Sequence, residues 1–165
     1  QSGYEAIRPI LDSLSKPNGG HEYFGTGGAG HFVKMVHNGI EYGMMQSLGE
    51  GFDVLANSKY KFDLSKVAKL WQKGTIVSGF LADRAAEALG KEPNLNAFAG
   101  QISRSGEGDW TVEAALEEGL KIPGIDTAVN YRKQSENDEK IQNSFTARVI
   151  NALRRSFGGH SVKNK

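Results

Sequence analysis

The sequence predicts an all-α fold organised around one long central helix. Three observations carry this. Apolar residues recur at helical spacing through most of the 165 residues, and no alternating apolar/polar run demands a strand. One continuous helical pattern runs from about His31 to about Ala56, with Val36, Ile40, Met44, Leu48 and Phe52 spaced by four and Val33 and Leu55 beside them. Helix-starting and helix-ending residues such as Asp63, Gly74 and Gly90 separate the other periodic stretches.

Taken in chain order, residues 4–15 place Ile7, Ile10, Leu11 and Leu14 at helical spacing, with Pro9 in an early turn or at a kink. Residues 16–24 read as a Pro/Asn/Gly turn followed by a short extended piece. The long helix comes next, roughly 39 Å at 1.5 Å per residue, the length of a central spine. Asp63 is the expected N-cap of a helix over Leu64–Lys73, which Gly74 ends. Another helix is expected over Val77–Leu89, with Gly90 as its C′ residue. Residues 91–111 read as loop, and Thr111 is expected to cap Val112–Gly119. Helices over Ile125–Ser135 and Asp138–Arg155 complete the set, before a glycine-rich polar tail from Ser156 to Lys165. No internal repeat is found.

Length and composition point to one domain over residues 1–165. Hydrophobic content of 38% and charged content of 24% are ordinary for a soluble globular chain. A net charge of +1 argues against a general nucleic-acid binder. With no cysteine there is no disulfide frame, thiolate metal site or thiol nucleophile. No apolar run nears the ~18 residues that cross a bilayer, and no signal peptide opens the chain, so a cytoplasmic setting is the expectation. His31 and His37 are six apart, off one helix face, and no H-x-x-x-H pattern exists, so no metal is expected. The chain starts at Gln1, as a processed protein or a piece of a longer one would.

The functional signal lies between Gly25 and Tyr42. A glycine-rich turn runs into a helix carrying Lys34, His37, Asn38 and Glu41 at i, i+3, i+4 and i+7, so all four project from one face. A base, an acid and two hydrogen-bonding groups on one stripe suit chemistry on a polar, anionic substrate. Gly25-x-Gly27-x-x-Gly30 matches the dinucleotide-binding fingerprint literally, and Glu50 follows 20 residues later. That fingerprint needs a preceding hydrophobic strand, and H-E-Y-F at 21–24 is too short and polar to be one. The turn reads better as a helix N-terminus whose free N–H groups favour an anion. Gly39, Gly43, Gly49 and Gly51 lie inside the long helix, each costing on the order of 1 kcal/mol against Ala. They point to close approach of other backbones or of a ligand.

The stretch G-A-G-H-F-V-K-M-V-H-N-G-I-E-Y-G closely resembles the signature of decarboxylating 6-phosphogluconate dehydrogenases, within the β-hydroxyacid dehydrogenase superfamily. Three further segments match in order: S-G-E-G-D-W-T at 105–111, A-V-N-Y-R at 128–132, and R-R-S-F-G-G-H at 154–160. The resemblance spans nearly the whole chain but covers only the helical C-terminal domain of that family. The N-terminal Rossmann domain, which binds most of the NAD or NADP, is absent from this chain. The resemblance implies a substrate-binding, catalytic and dimerisation domain that acts on 6-phosphogluconate in gluconate utilisation and the pentose phosphate pathway. Hydride transfer from C3, loss of carbon dioxide and protonation of the enediol would give ribulose 5-phosphate, without a metal.

By the same resemblance, Lys34 is the general base and acid at the C3 hydroxyl, and Glu41 the acid that protonates C1 of the enediol. These roles need a lysine that can give up its proton and a carboxyl group kept protonated near neutral pH. His37 and Asn38 match substrate-binding positions, and Tyr42 and Arg132 match phosphate ligands. Arg154 and His160 match residues that reach into the active site of a neighbouring subunit, which implies a homodimer or tetramer. Two positions depart from the longer members of the family: Ser105 stands where they carry lysine, and Glu107 where they carry threonine. Phosphate recognition is expected to be weaker or rebuilt. The alternatives are a β-hydroxyacid dehydrogenase for a related sugar acid, or a non-catalytic helical oligomerisation module. On its own the 165-residue chain is expected to be inactive.

Overall fold

The computed structural model describes residues 1–159, so His160 lies outside the described residues. They form helices α1 (Ser2–Leu14), α2 (Ala29–Ala56), α3 (Leu64–Trp71), α4 (Phe80–Lys91), α5 (Glu107–Glu117), α6 (Pro123–Gln134), α7 (Glu139–Asn143) and α8 (Phe145–Gly158), with no strand among the described residues. Among the described residues no helix is long and apolar enough to cross a membrane.

The long helix α2 is the spine. It starts from a turn in which Gly25, Gly27 and Gly28 all have positive φ, at 127°, 65° and 90°. Only glycine takes this region without a steric penalty. The preceding segment 21–24 is not a strand, so the turn is not the loop of a βα unit. Helix α8 packs along α2, α5 and α6 cover its N-terminal half, and α3 and α4 pair beside α8. The main core gathers Met45 and Phe52 of α2, Leu89 of α4, Leu95 and Ile102 of the loop, and Ile150 and Leu153 of α8. Each such side chain contributes about 1.5–3 kcal/mol by leaving water. A smaller cluster joins Tyr42 to Ala128 and Val129 of α6.

The buried face of α2 is not the expected ladder. It consists of Gly39, Tyr42, Met45, Gln46, Gly49 and Phe52, while Ile40 and Met44 are half exposed. Glycine is the reason. A Cβ on Gly39 would lie 2.7 Å from Thr111 Cγ2, and one on Gly49 would lie 3.0 Å from the Thr146 carbonyl. The two glycines let α5 and α8 come in close. Gly43 makes ordinary contact at 3.8 Å and Gly51 faces open space, so close approach explains two of the four.

Other boundaries differ for local reasons. Pro9 sits inside α1, which continues through it. Asp63 is the N-cap of α3 as expected, its carboxylate accepting from the Lys66 N–H at 3.1 Å. Helix α4 starts at Phe80 and runs past Gly90 to Lys91, so Gly90 is not its C′ residue. Helix α5 starts at Glu107, with Gly106 in the left-handed region at φ 101°. Thr111 is therefore interior to α5 rather than its cap, and its hydroxyl donates to the carbonyls of Glu107 and Met35. The last helix is broken at Ser144, which turns extended and caps α8 by accepting from the Ala147 N–H at 3.1 Å. Helix α8 reaches Gly158, into the stretch expected to be tail.

Helix α1 contributes no buried residue. It holds to the loop that follows it. Tyr4 Oη pairs with His21 Nδ1 at 2.8 Å, and His21 Nε2 with Asp12 Oδ1 at 2.9 Å.

Glycine spacing gives a stability test. A Cβ on Gly100 would fall 1.8 Å from the Gln142 carbonyl oxygen, whereas Gly51 has nothing within 4 Å. Gly100→Ala should destabilise by more than about 2 kcal/mol through backbone displacement. Gly51→Ala should stabilise by about 0.5–1 kcal/mol through helix propensity. Urea unfolding midpoints check both; equal shifts would contradict the packing described.

Candidate functional site

Helices α2, α5, α6 and α8 bring together side chains far apart in sequence around the N-terminal half of α2. Lys34 and His37 are exposed on α2, and Asn38 and Glu41 are half-buried one turn further on. The stripe thus runs from solvent toward the core. Asn38 organises its outer end. Its Oδ1 accepts from Lys34 Nζ and lies 3.1 Å from His37 Nδ1. The amide NH₂ of Asn38 is left facing α5.

The inner end is a buried cationic cluster. Arg132 of α6 is 2% exposed, and its guanidinium carbon lies 3.4 Å from the centre of the Tyr42 ring. That is a stacked cation–π contact. Arg154 of α8 is 6% exposed beside it. Among the described residues neither arginine is in an ion pair. Burial pushes the Arg132 guanidinium down to about 10, with Tyr42 and Glu41 opposing the shift and the Arg154 charge adding to it. Burial also lowers Arg154. Tyr42 Oη and Arg154 Nη1 are buried without a hydrogen-bond partner. Two buried cations and an orphaned hydroxyl on one spot carry a desolvation cost that a bound anion would offset. A guanidinium fork suits a phosphate or carboxylate.

Arg154 reaches this cluster from α8 of the same chain. Val149, Ile150 and Leu153 bury α8 against α2 and α4, and this turns Arg154 inward. Arg154 thus lies beside Arg132 within this chain.

A cleft of about 910 Å³ opens at the outer end, lined by Phe32, Lys34, Asn38, Glu107 and Trp110 together with the glycine turn. Glu107 projects into it from the first turn of α5. The Ser105 hydroxyl, with help from the Lys34 charge and the Asn38 amide, holds its carboxyl below the usual carboxylate range although burial opposes this. Thr111 ties that turn to α2 through its bond to the Met35 carbonyl at 3.0 Å. On the far side of α5, Asp109 bridges Lys133 at 2.7 Å and Arg104 at 3.0 Å, which fastens α5 to α6. Sequence reasoning treated Glu107 only as a departure and Thr111 only as a cap. The signal that locates both is the G-E-G at 106–108, where a left-handed Gly106 starts a helix.

Lys34, His37, Asn38, Glu41, Tyr42, Arg132 and Arg154 are thus gathered at one flank of α2. The chain is an all-helical domain in which a polar stripe leads into a buried arginine pair. Residues 30–152 match the family described as 6-phosphogluconate dehydrogenase, C-terminal domain. The chain belongs to that family. It is 41% identical over 162 residues to the Bacillus subtilis (strain 168) protein named "Putative 6-phosphogluconate dehydrogenase YqeC", covering 98% of this chain and 53% of the relative. It is 37% identical over 166 residues to the NAD(+)-dependent, decarboxylating 6-phosphogluconate dehydrogenase of Haloferax volcanii, covering 100% of this chain and 54% of the relative. To the NADP(+)-dependent, decarboxylating enzyme of Bacillus subtilis (strain 168) it is 34% identical over 143 residues, covering 80% of this chain and 30% of the relative. The chain spans about half the length of the first two.

Inorganic phosphate should raise the melting temperature, since a ligand at 100 times its Kd adds about 2.7 kcal/mol. Arg154→Met should stabilise the phosphate-free protein by about 1 kcal/mol, because one unpaired buried charge is gone. The same change should remove most of the phosphate effect. Differential scanning calorimetry with and without phosphate checks both; an unchanged phosphate effect would contradict the cluster's role.

Proposed function

We propose that this chain is the helical, substrate-binding and catalytic part of an NAD(P)-dependent 6-phosphogluconate dehydrogenase that decarboxylates its substrate to ribulose 5-phosphate. One observation carries the reading. The buried Tyr42–Arg132–Arg154 cluster has an unmet need for an anion, and it lies at the inner end of a stripe carrying Lys34 and Glu41. A sugar acid with a phosphate at one end meets that need and brings its carbon chain against the stripe.

The residues then divide the work. Arg132, Arg154 and the Tyr42 hydroxyl take the phosphate. Lys34 removes the proton from the C3 hydroxyl as hydride leaves C3. As an ammonium it then stabilises the negative charge that builds on the C3 oxygen while carbon dioxide departs. Asn38 holds Lys34 and His37 through its single Oδ1. Glu41, two helical turns from Lys34, donates a proton to C1 of the enediol. A nicotinamide, when bound, accepts the hydride. The open side of the Lys34 cleft, walled by Phe32 and Trp110, suits a flat ring presented by a separate dinucleotide-binding domain. The reading extends to a cytoplasmic homodimer or tetramer. Leu70, Ile76, Val77 and Phe80, exposed around the α3–α4 connection, support self-association.

Ser105 and Glu107 favour one second reading, a dehydrogenase for a related sugar acid. Comparing gluconate with 6-phosphogluconate as substrates separates the two.

In the full-length protein, Lys34→Met should lower kcat by at least about 10³-fold and leave the melting temperature within a degree or two, because Lys34 is exposed and outside the core. Steady-state NAD(P)H production checks this; near-normal turnover would remove Lys34 from the chemistry. The isolated 165-residue chain should give no turnover with 6-phosphogluconate and NAD(P). Measurable NAD(P)H from it would overturn that part of the proposal.

A further inference from the structure

Arg132 is buried, yet little grips its guanidinium. It stacks on the Tyr42 ring at 3.4 Å, and Nη2 reaches the weak acceptor Met45 Sδ at 3.9 Å. Its place is therefore set by its backbone, at the end of α6. That end is clamped from two sides to the segment leading into α5. On the inner side, the fully buried Ser135 donates through Oγ to the Arg132 carbonyl at 2.6 Å and accepts from the Ile102 N–H at 3.0 Å. On the outer side the clamp is ionic. Asp109 Oδ1 pairs with Lys133 Nζ at 2.7 Å, Asp109 Oδ2 with Arg104 Nη1 at 3.0 Å, and Arg104 Nε with Glu136 Oε1 at 3.3 Å.

Asp109 is the centre of that ionic clamp. Each of its oxygens takes one cation, one from α6 and one from the loop before α5. Its side chain is 15% exposed. Burial pushes its carboxyl up, but the hydrogen bonds and charges of Lys133 and Arg104 outweigh this and hold it below the usual carboxylate range. The same turn of α5 carries Gly108, where a Cβ would lie 2.7 Å from Tyr42 Cε2. The Tyr42 ring thus touches both the Gly108 backbone and the Arg132 guanidinium. Gly108 is the residue before Asp109, and Arg132 is the residue before Lys133. One carboxylate therefore ties together the two elements that meet at this ring.

We propose that Asp109 is a positioning residue of the anion site: it fastens α6 to the first turn of α5 and so sets Arg132 against Tyr42 before substrate arrives. It acts through Arg132 rather than on the substrate. Ser105, on the same segment, supplies no charge, so recognition of a phosphate depends on the arginines being in place. A ligand that meets cations already placed loses less order on binding. The inference rests on the dehydrogenase reading for its substrate and deepens it.

The test uses the full-length protein with 6-phosphogluconate and, separately, with inorganic phosphate. Asp109→Asn keeps the shape and removes the charge. It should raise KM for 6-phosphogluconate about tenfold, and the calorimetric Kd for inorganic phosphate by a similar factor. Turnover should change less than about threefold, because Lys34 and Glu41 are untouched. Lys133→Met, at a side chain 44% exposed, should do the same and carries the test if Asp109→Asn does not fold. The double variant should be no worse than the poorer single, as for one interaction removed twice. Asp109→Glu should return KM to within about threefold of the unsubstituted protein. Ion pairs at the solvent edge add little to stability, so the melting temperature should move by no more than about two degrees. Asp63→Ala, which removes the α3 cap, is the structural control: it lowers the melting temperature and leaves KM unchanged. A KM unchanged in both Asp109→Asn and Lys133→Met overturns the proposal, and so does a loss carried by kcat alone. If the unsubstituted protein binds phosphate but does not oxidise 6-phosphogluconate, the dehydrogenase reading fails and the phosphate Kd values decide the role of Asp109. If it binds neither, the anion site fails and this inference with it. If it oxidises 6-phosphogluconate and the variants match it in KM and Kd, only this inference falls.

Discussion

Gly39 against Thr111 and Gly108 against the Tyr42 ring are two halves of one helix crossing, and the site depends on it. Each helix supplies a residue without a Cβ where the other supplies bulk. The backbones of α2 and α5 can then approach as small-residue helix pairs do. The crossing places the first turn of α5 beside the polar stripe of α2. It also holds the Tyr42 ring, on whose face the Arg132 guanidinium stacks. A methyl group at either glycine would press on Thr111 or Tyr42 and pass the displacement straight into the site, because close-packed interiors transmit strain.

The second constraint is electrostatic. Two guanidinium groups lie buried side by side, and burial lowers both. Such a pair opposes folding until something negative arrives. The apolar packing of α8 on α2, through Ile150, Leu153, Met45 and Phe52, is what holds Arg154 inside against that opposition. The core and the site are therefore one energetic unit. The interior stabilises a charge arrangement that the charges alone would not adopt, and a bound anion would relieve it.

Much of this was legible in the sequence. The all-α class, the long helix, the Asp63 cap and the α2 stripe follow from periodicity and local chemistry. Resemblance to a known family supplied Tyr42, Arg132 and Arg154. The buried face of α2 was not legible, because pattern counting treats glycine as a breaker. Here Gly39 and Gly49 are the points of deepest contact, and Ile40 and Met44 of the apparent ladder face outward. The break at Ser144 hid inside a continuous helical pattern, although serine before an apolar run is a recognisable N-cap. Gly106 read as loop, when its left-handed backbone is what begins α5. The burial of Arg154 depends on how α8 docks, a tertiary fact that no local pattern carries.

Asn151 joins two parts of the molecule that the sequence keeps apart. Its side-chain amide donates to the carbonyls of Ala99 at 2.6 Å and Gln101 at 3.0 Å, one turn before Arg154 on α8. At the next residue of the same loop, the Ile102 N–H donates to Ser135 Oγ at 3.0 Å, and the chain then runs to Ser105 and Glu107. The helix that carries the inner cation and the loop that leads to the outer carboxylate are thus pinned to each other. The distance between them cannot relax to suit a shorter molecule without breaking buried hydrogen bonds, each costing about 1–3 kcal/mol. The two ends of the site are the jaws of a caliper set to one opening, which under the proposed reading would gauge the length of the chain laid between them.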